Sequence, residues 1–371
     1  MRAIQVVNVR FFNATAWYGL YLTRLMREAG HQALVIGLPD TESFEVAREW
    51  GIEPVPMDMN TTHPGRLMAL YREMADLVRD FRPHVVNCHR GESFLLWGLL
   101  KRATRSFALV RTRGDQRLPR NNLPNRWLHR DVADAVVATN SSMARHFIQA
   151  MGLPSEKVWT ILGGVDTGRF RFDLEGRARV RAEFGFAPED VVVGIVGRFD
   201  PVKGQEDLIR AAGEARRLGG CSFKLFFVGF DSITGSGEIR EWCRREGVDD
   251  IARLSGARKD VAACLSALDL GVCASRYSET IARAPMEIMA CGRPLIATRV
   301  GVLPDLVPPS ALAAPSDPED LGRLLHKALT RPDWLKAVQV DEQRIMAQYS
   351  GKDFLNQTLS LYQGLTSGLH A

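Results

Sequence analysis

Ser275-Arg276-Tyr277-Ser278-Glu279-Thr280-Ile281-Ala282-Arg283-Ala284-Pro285-Met286-Glu287-Ile288-Met289-Ala290-Cys291-Gly292-Arg293-Pro294-Leu295-Ile296-Ala297 is the stretch on which the fold turns. The apolar run 268–274 leads into it and reads as a buried strand. Pro285 suits the first turn of a helix, where its missing N–H costs nothing. Gly292 stops that helix, and residues 294–297 open the next buried strand. Glu279 therefore lies on the loop before the helix, and Glu287 about a turn inside it. A helix start favours an anion through its free N–H groups and the macrodipole. A carboxylate accepts hydrogen bonds from sugar hydroxyls. One element can thus grip both halves of a sugar nucleotide. Without a ligand, the same pattern is an ordinary βαβ unit with two solvated acids.

Outward from this unit, strands alternate with helical patterns along the whole chain, the mark of a doubly wound α/β protein. In the first half, strands are expected at 3–9, 32–37, 84–88, 107–111, 135–139 and 158–162. Helices are expected at 18–29, 64–81, 93–100, 127–132 and 141–151, the last capped by Ser141. Residues 10–16 read as a loop. The pattern restarts after Phe170, with strands at 191–197, 223–229, 251–255 and 268–274. Helices follow at 176–184, 205–218, 238–246, 261–267, 319–330, 334–348 and 354–365. A chain of 371 residues exceeds one typical core, so two domains are expected.

Gly194-Ile195-Val196-Gly197-Arg198-Phe199-Asp200-Pro201-Val202-Lys203-Gly204-Gln205 is the second motif. A buried strand ends at Gly197, and Arg198 and Lys203 follow on the loop before a helix. Two cations at a strand's carboxyl end, beside helix N–H groups, form a diphosphate clamp. Charge-assisted hydrogen bonds of this kind contribute roughly 1.5–3 kcal/mol each. Otherwise the two cations are solvated.

Composition narrows the alternatives. Hydrophobic content of 46% and charged content of 25% are ordinary globular values. No run of 18 apolar residues exists, and residues 1–10 read as a strand rather than a signal peptide. A cytoplasmic protein is the expectation, with contact at the inner face of the membrane as a further one. The six cysteines show no C-x-x-C, which suits reduced thiols, and Cys88, Cys273 and Cys291 read as small core residues. No metal site is expected, because no Cys/His cluster has ligand spacing. Residues 1–170 carry 22 Lys/Arg against 16 Asp/Glu, and nine of the cations fall within 101–130. Such a stretch, with Arg113 and Arg117 in it, suits an anionic lipid surface or a phosphorylated acceptor, or is a solvated basic face. No nucleic-acid binding motif appears.

The E-x7-E spacing of Glu279 and Glu287, with the run Glu287-Ile288-Met289-Ala290-Cys291-Gly292-Arg293-Pro294-Leu295-Ile296-Ala297, resembles the signature of retaining GT-B glycosyltransferases of the group 1, or family 4, class. Residues 197–204 resemble the G-R-x-x-x-x-K-G element of that family. The resemblance covers most of the chain and is strongest over 194–306. It implies the GT-B fold, two Rossmann-like domains facing a central cleft. The expected domains are 1–168, binding acceptor, and 169–347, binding the nucleotide sugar. Residues 348–371 form a helix returning to the first. It also implies a metal-independent transferase without cofactor. Its donor would be a UDP-, GDP- or ADP-linked sugar and its acceptor a glycan or glycolipid, in lipopolysaccharide or other surface-polysaccharide synthesis. A non-catalytic relative that only binds sugar nucleotide or glycan is the rival, as is an inverting or epimerase-type enzyme.

By the same resemblance, Arg198 and Lys203 neutralise the leaving diphosphate with the amides of Thr280, Ile281 and Ala282. Glu287 holds the ribose, and Glu279 bonds the sugar and steadies its anomeric centre. Residues 255–261 resemble the nucleobase segment, where Arg258 stacks on or bonds the base, or is a plain surface turn. His89, at the end of the strand 84–88, matches a family histidine near the reacting sugar. The stretch 11–19 departs from the family by lacking a Gly-Gly pair. Asn13, Thr15 and Ala16 still offer polar groups there, while Phe11, Phe12, Trp17 and Tyr18 shape an acceptor platform or pack locally. Ile281 replaces a small residue and is expected to narrow the sugar pocket. His129 and His146 read as surface histidines.

Overall fold

The computed structural model describes residues 1–115 and 117–367. The chain folds into two units, the first being 1–163 with the chain from Gly351 onward, the second Gly164–Ser350. The expected terminal segment 348–371 runs beyond Ser367, and its last four residues lie outside the described residues.

The first unit is a seven-stranded parallel sheet: β1 (Arg2–Val7), β2 (Gln32–Gly37), β3 (Val55–Pro56), β4 (Val85–Cys88), β5 (Ala108–Arg113), β6 (Ala135–Ala138) and β7 (Val158–Thr160), in the order β3-β2-β1-β4-β5-β6-β7. Both faces are covered, which is why its strands read as near-continuous apolar runs. Ile4, Val6, Val86 and Leu109 pack with Leu70, Met74 and Val78 of the helix Pro64–Phe81 and with Trp97. Val7, Val9 and Val35 pack with Ala16 and Leu20 of the helix Ala14–Glu28 on the other face. The helix Gly351–Thr366 belongs to this unit and buries Phe354, Leu361 and Tyr362. Tyr362 Oη accepts from Asn87 Nδ2 at 2.9 Å and from Gln5 Nε2 at 3.3 Å, so polar groups of β1 and β4 are satisfied inside the core.

The second unit has six parallel strands: β8 (Val192–Val196), β9 (Lys224–Val228), β10 (Ala252–Leu254), β11 (Leu270–Cys273), β12 (Leu295–Thr298) and β13 (Leu312–Ala313), in the order β10-β9-β8-β11-β12-β13. Chain order reverses between β8 and β11, and ligands of open α/β sheets bind outside the carboxyl ends at such a switch point. These are two Rossmann-like sheets, the GT-B architecture expected from the sequence.

Three local expectations change. The first helix begins at Ala14, because Asn13 caps it, its Oδ1 accepting from Thr15 N at 3.0 Å and Ala16 N at 3.1 Å. Asn140 rather than Ser141 caps the helix that follows β6, accepting from Met143 N at 2.8 Å. His129 is buried, not superficial; its Nδ1 meets Asn125 O at 2.7 Å, and burial pushes its pKa down to about 4.

Candidate functional site at the switch point of the second unit

The site is built on the loops leaving β8 and β11. After β8, Asp200 caps the single turn Pro201–Lys203, accepting from Val202 N at 2.9 Å. Gly204 follows with φ +71°, and a Cβ there would stand 1.9 Å from Ala274 O. Only glycine lets this turn lie against the end of β11. Arg276 N donates to Val202 O at 3.0 Å, and the Arg276 guanidinium holds Asp207 and Glu206 of the helix Gln205–Leu218. The two loops are thereby fixed to each other.

Lys203 Nζ donates to Glu279 Oε2 at 2.8 Å, and Ser275 Oγ donates to the same oxygen at 2.8 Å. Glu279 is buried and Lys203 partly so. Burial works against the ammonium, but the charge and hydrogen bond of Glu279 prevail and hold the Lys203 pKa above its ordinary value. Lys203 is therefore a cation at neutral pH. Glu279 O accepts from Val302 N at 2.8 Å across Gly301, which has φ +58° and whose Cβ would fall 1.9 Å from that carbonyl oxygen. A small recess lies beside the pair, lined by Lys203, Ser275, Glu279, Ala284 and Pro285 among others.

The amides of Thr280, Ile281 and Ala282 make no hydrogen bond among the described residues. They lead directly into the helix Arg283–Ala290, and Ala282 is held in the left-handed region at φ 48°, ψ 49°. Consecutive free amides at a helix start form an anion-binding concavity. The left-handed alanine costs roughly 1–2 kcal/mol, a strain that surrounding contacts must overcome. Ile281 is buried, at 1% exposure. Glu287 is buried one turn further on, with Arg283 Nη2 at 3.5 Å from its Oε1. Burial raises its pKa against the opposing charges of Arg283 and Arg169.

Arg198 is half exposed and donates through Nε to Asp200 Oδ2 at 2.9 Å. Arg258 is engaged by neighbouring carboxylates. Its guanidinium is taken by Glu183 at 2.6 and 2.9 Å and Asp260 at 2.8 and 2.9 Å, and it sits over the Phe184 ring. Backbone groups of the segment are what it leaves for a base.

The first-unit candidates fare differently. His89 is fully buried, its Nε2 2.8 Å from Gln5 Oε1 and its ring against Tyr18, with Nδ1 lacking a partner among the described residues. Burial pushes its pKa down to about 3. Its ring lies neutral and buried below Gly19. Asn13 is spent as a cap, and Thr15 is buried. The aromatic platform is corrected, since Trp17 stacks on Tyr21, Tyr18 packs on Phe354 and Phe12 on Trp50. Phe11 alone of that set is exposed. The basic stretch is less basic at its surface than its composition. Arg111 is buried, with Nη1 donating to Cys88 O at 2.8 Å, and Arg113 pairs with Asp115 at 3.3 Å. Arg117, Arg120 and Arg126 are exposed, beside exposed Leu118 and Leu123.

Sequence reasoning missed Ser275, Asp200 and Gly301. Ser275 was visible as a small polar residue at a strand end four places before Glu279. Gly301 gives no sequence signal, because its partner, the carbonyl of Glu279, is defined only by the fold.

Known proteins resemble this chain over both units. A Glycosyltransferase Family 4 domain matches residues 16–169, and a domain described as Glycosyl transferases group 1 matches residues 190–331. A D-inositol 3-phosphate glycosyltransferase of Segniliparus rotundus is 34% identical over 176 residues, 46% of this chain and 38% of that protein. The chain spans about half the length of the curated relatives it matches. A glycosyltransferase of Rickettsia africae superposes with a TM-score of 0.86 at 15% identity, over 99% of both chains. An Anabaena protein solved with UDP gives 0.83 at 19% identity, over 98% of this chain and 100% of that one. It has also been solved with UDP-glucose.

Proposed function

The chain belongs to the GT-B glycosyltransferases, and on that premise we propose that it moves a sugar from a nucleotide-diphosphate sugar to a glycan or glycolipid acceptor with retention of anomeric configuration. The observation that carries this is the junction of Lys203, Glu279 and three open amides at the switch point of the second sheet. UDP in the Anabaena relative supports a nucleotide donor.

On binding, Lys203 and Arg198 turn from their carboxylates to the diphosphate, and the amides of 280–282 take further oxygens. These groups offset the charge that grows as the sugar–phosphate bond breaks, without a metal ion. Glu287 holds the ribose hydroxyls. Glu279, released from Lys203, bonds the sugar hydroxyls and faces the positive anomeric carbon. The acceptor oxygen attacks from the side the phosphate leaves, and its proton passes to the departing phosphate oxygen. The setting proposed is lipopolysaccharide or other surface-polysaccharide synthesis, in the cytoplasm. There Arg117, Arg120 and Arg126 with Leu118 and Leu123 touch an anionic membrane face. A second reading, transfer to a small phosphorylated polyol, is favoured by the activity for which the Segniliparus relative is named.

The experiment is incubation with UDP-, GDP- and ADP-sugars, acceptor extracts and EDTA, followed by anomeric NMR of the product. Release of nucleoside diphosphate with a retained anomer is the result expected. An inverted anomer rejects the mechanism. Nucleotide binding without turnover marks a non-catalytic relative, and loss of turnover in EDTA rejects metal independence.

A further inference from the structure

In the second unit β9 lies between β8 and β10. Its carboxyl end is therefore flanked by the loop of Arg198 on one side and the segment 255–260 on the other. The second residue past β9 is Phe230, and it is 50% exposed. Its backbone is anchored on both flanks. Phe199 N donates to Phe230 O at 2.8 Å, and Gly229 N donates to Ser255 Oγ at 3.2 Å. A Cβ on Gly229 would stand 2.0 Å from Gly197 O, so the loops touch. Asp231 closes the turn by accepting from Ser236 N at 3.0 Å.

The backbone of this half-exposed phenylalanine thus lies between the loop that carries Arg198 and the segment that resembles a nucleobase site. That segment offers no stacking group of its own. The Arg258 guanidinium is committed to Glu183 and Asp260, and Ala257 is small. We propose that Phe230 is the stacking platform for the nucleobase of the donor, with the diphosphate running from there toward Arg198 and Lys203. This rests on the reading of the site as one for a nucleotide sugar. Every base has a π-face, so stacking adds affinity without choosing the base. Choice among bases then falls to backbone groups of 255–259.

The test is calorimetric titration of wild type, Phe230→Ala and Phe230→Tyr with UDP, GDP, ADP and inorganic diphosphate. Phe230→Ala should weaken the preferred nucleotide roughly tenfold or more. It should leave inorganic diphosphate and the rank order of the bases unchanged, while Phe230→Tyr binds as wild type does. The residue is half exposed, so an unshifted melting temperature will show that the variants are folded. Equal nucleotide affinity in Phe230→Ala, or an equal loss for inorganic diphosphate, overturns the platform while the nucleotide site stands. If wild type binds no nucleoside diphosphate, the underlying functional reading falls, and the platform with it.

Discussion

Lys203 and Glu279 are 76 residues apart in sequence and meet at 2.8 Å, Nζ to Oε2. They leave the carboxyl ends of β8 and β11, neighbours across the switch point of the second sheet. Each satisfies the charge of the other in a partly desolvated place. A buried pair left with one partner costs far more than the pair contributes. A diphosphate arriving at Lys203 therefore has to replace Glu279, and Glu279 has to find hydroxyl donors. In the proposed mechanism this arrangement couples the two halves of a sugar nucleotide: phosphate on the lysine frees the carboxylate for the sugar.

Ser275→Ala should keep the fold and loosen Glu279. Ser275 Oγ donates to the oxygen that Lys203 also holds. Loss of one hydrogen bond to a charged group costs about 1.5–3 kcal/mol. Denaturant unfolding should show a loss in or just below that range, and initial rates should fall more than nucleotide affinity does. Wild-type rates would show that Ser275 does not position Glu279.

Gly301→Ala should destabilise by at least about 2 kcal/mol, because positive φ and a blocked Cβ act together. A Cβ there meets Glu279 O at 1.9 Å. Gly292→Ala is the control, with φ +70° but open space around its Cβ, and should cost only about 1 kcal/mol. Equal losses in the two melts would mean that the Gly301 contact yields freely.

Glu342 carries a pH prediction. It is 1% exposed, its Oε2 accepts from Leu295 N at 3.0 Å and its Oε1 has no partner among the described residues. Burial raises its pKa well above the ordinary 4.5, helped by Asp341 and opposed by the Leu295 bond. The native state thus keeps a proton that the unfolded chain gives up above about pH 4.5. Its stability contribution is full below that pH and is lost as pH rises toward the native pKa. Glu342→Gln keeps the acceptor for Leu295 N and removes the titration. Melting temperatures from pH 4.5 to 8 should decline more steeply in wild type than in Glu342→Gln. Parallel curves would contradict the buried protonated carboxyl.

Anionic vesicles should retain the protein, and salt should release it. Neutralising Arg117, Arg120 and Arg126 should abolish retention, whereas Arg111 is buried and should not be needed. Equal retention on neutral vesicles would count against the proposed membrane face.

The sequence made the main strands and helices of both units legible, among them Gln32–Gly37 and Pro64–Phe81 in the first. Val192–Val196, Gln205–Leu218 and Val261–Ala267 fall within a residue of expectation or on it, because apolar runs and glycine stops coincide there. Arg198, Lys203, Glu279 and Glu287 all prove to lie on the strand-end loops and helix start that their spacing implied. Side-chain commitment was not legible. Arg258 looked free in the sequence, yet Glu183 neutralises it from 75 positions away. Trp17 and Tyr18 looked like a platform because their packing partners, Tyr21 and Phe354, are set by helix periodicity and by the returning final helix. His89 matched a motif position, but its complete burial under Gly19 is a property of packing.

The most direct measurement is a thermal-shift panel of wild type and Lys203→Ala with UDP, GDP, ADP and their sugar derivatives, with EDTA present. A ligand that binds only the native state adds about 2.7 kcal/mol of stability at one hundred times its dissociation constant. One nucleotide family should stabilise wild type selectively, and Lys203→Ala, still folded, should lose most of that shift. An equal shift in Lys203→Ala, or none with any nucleotide in wild type, would contradict the role given to the Lys203–Glu279 junction.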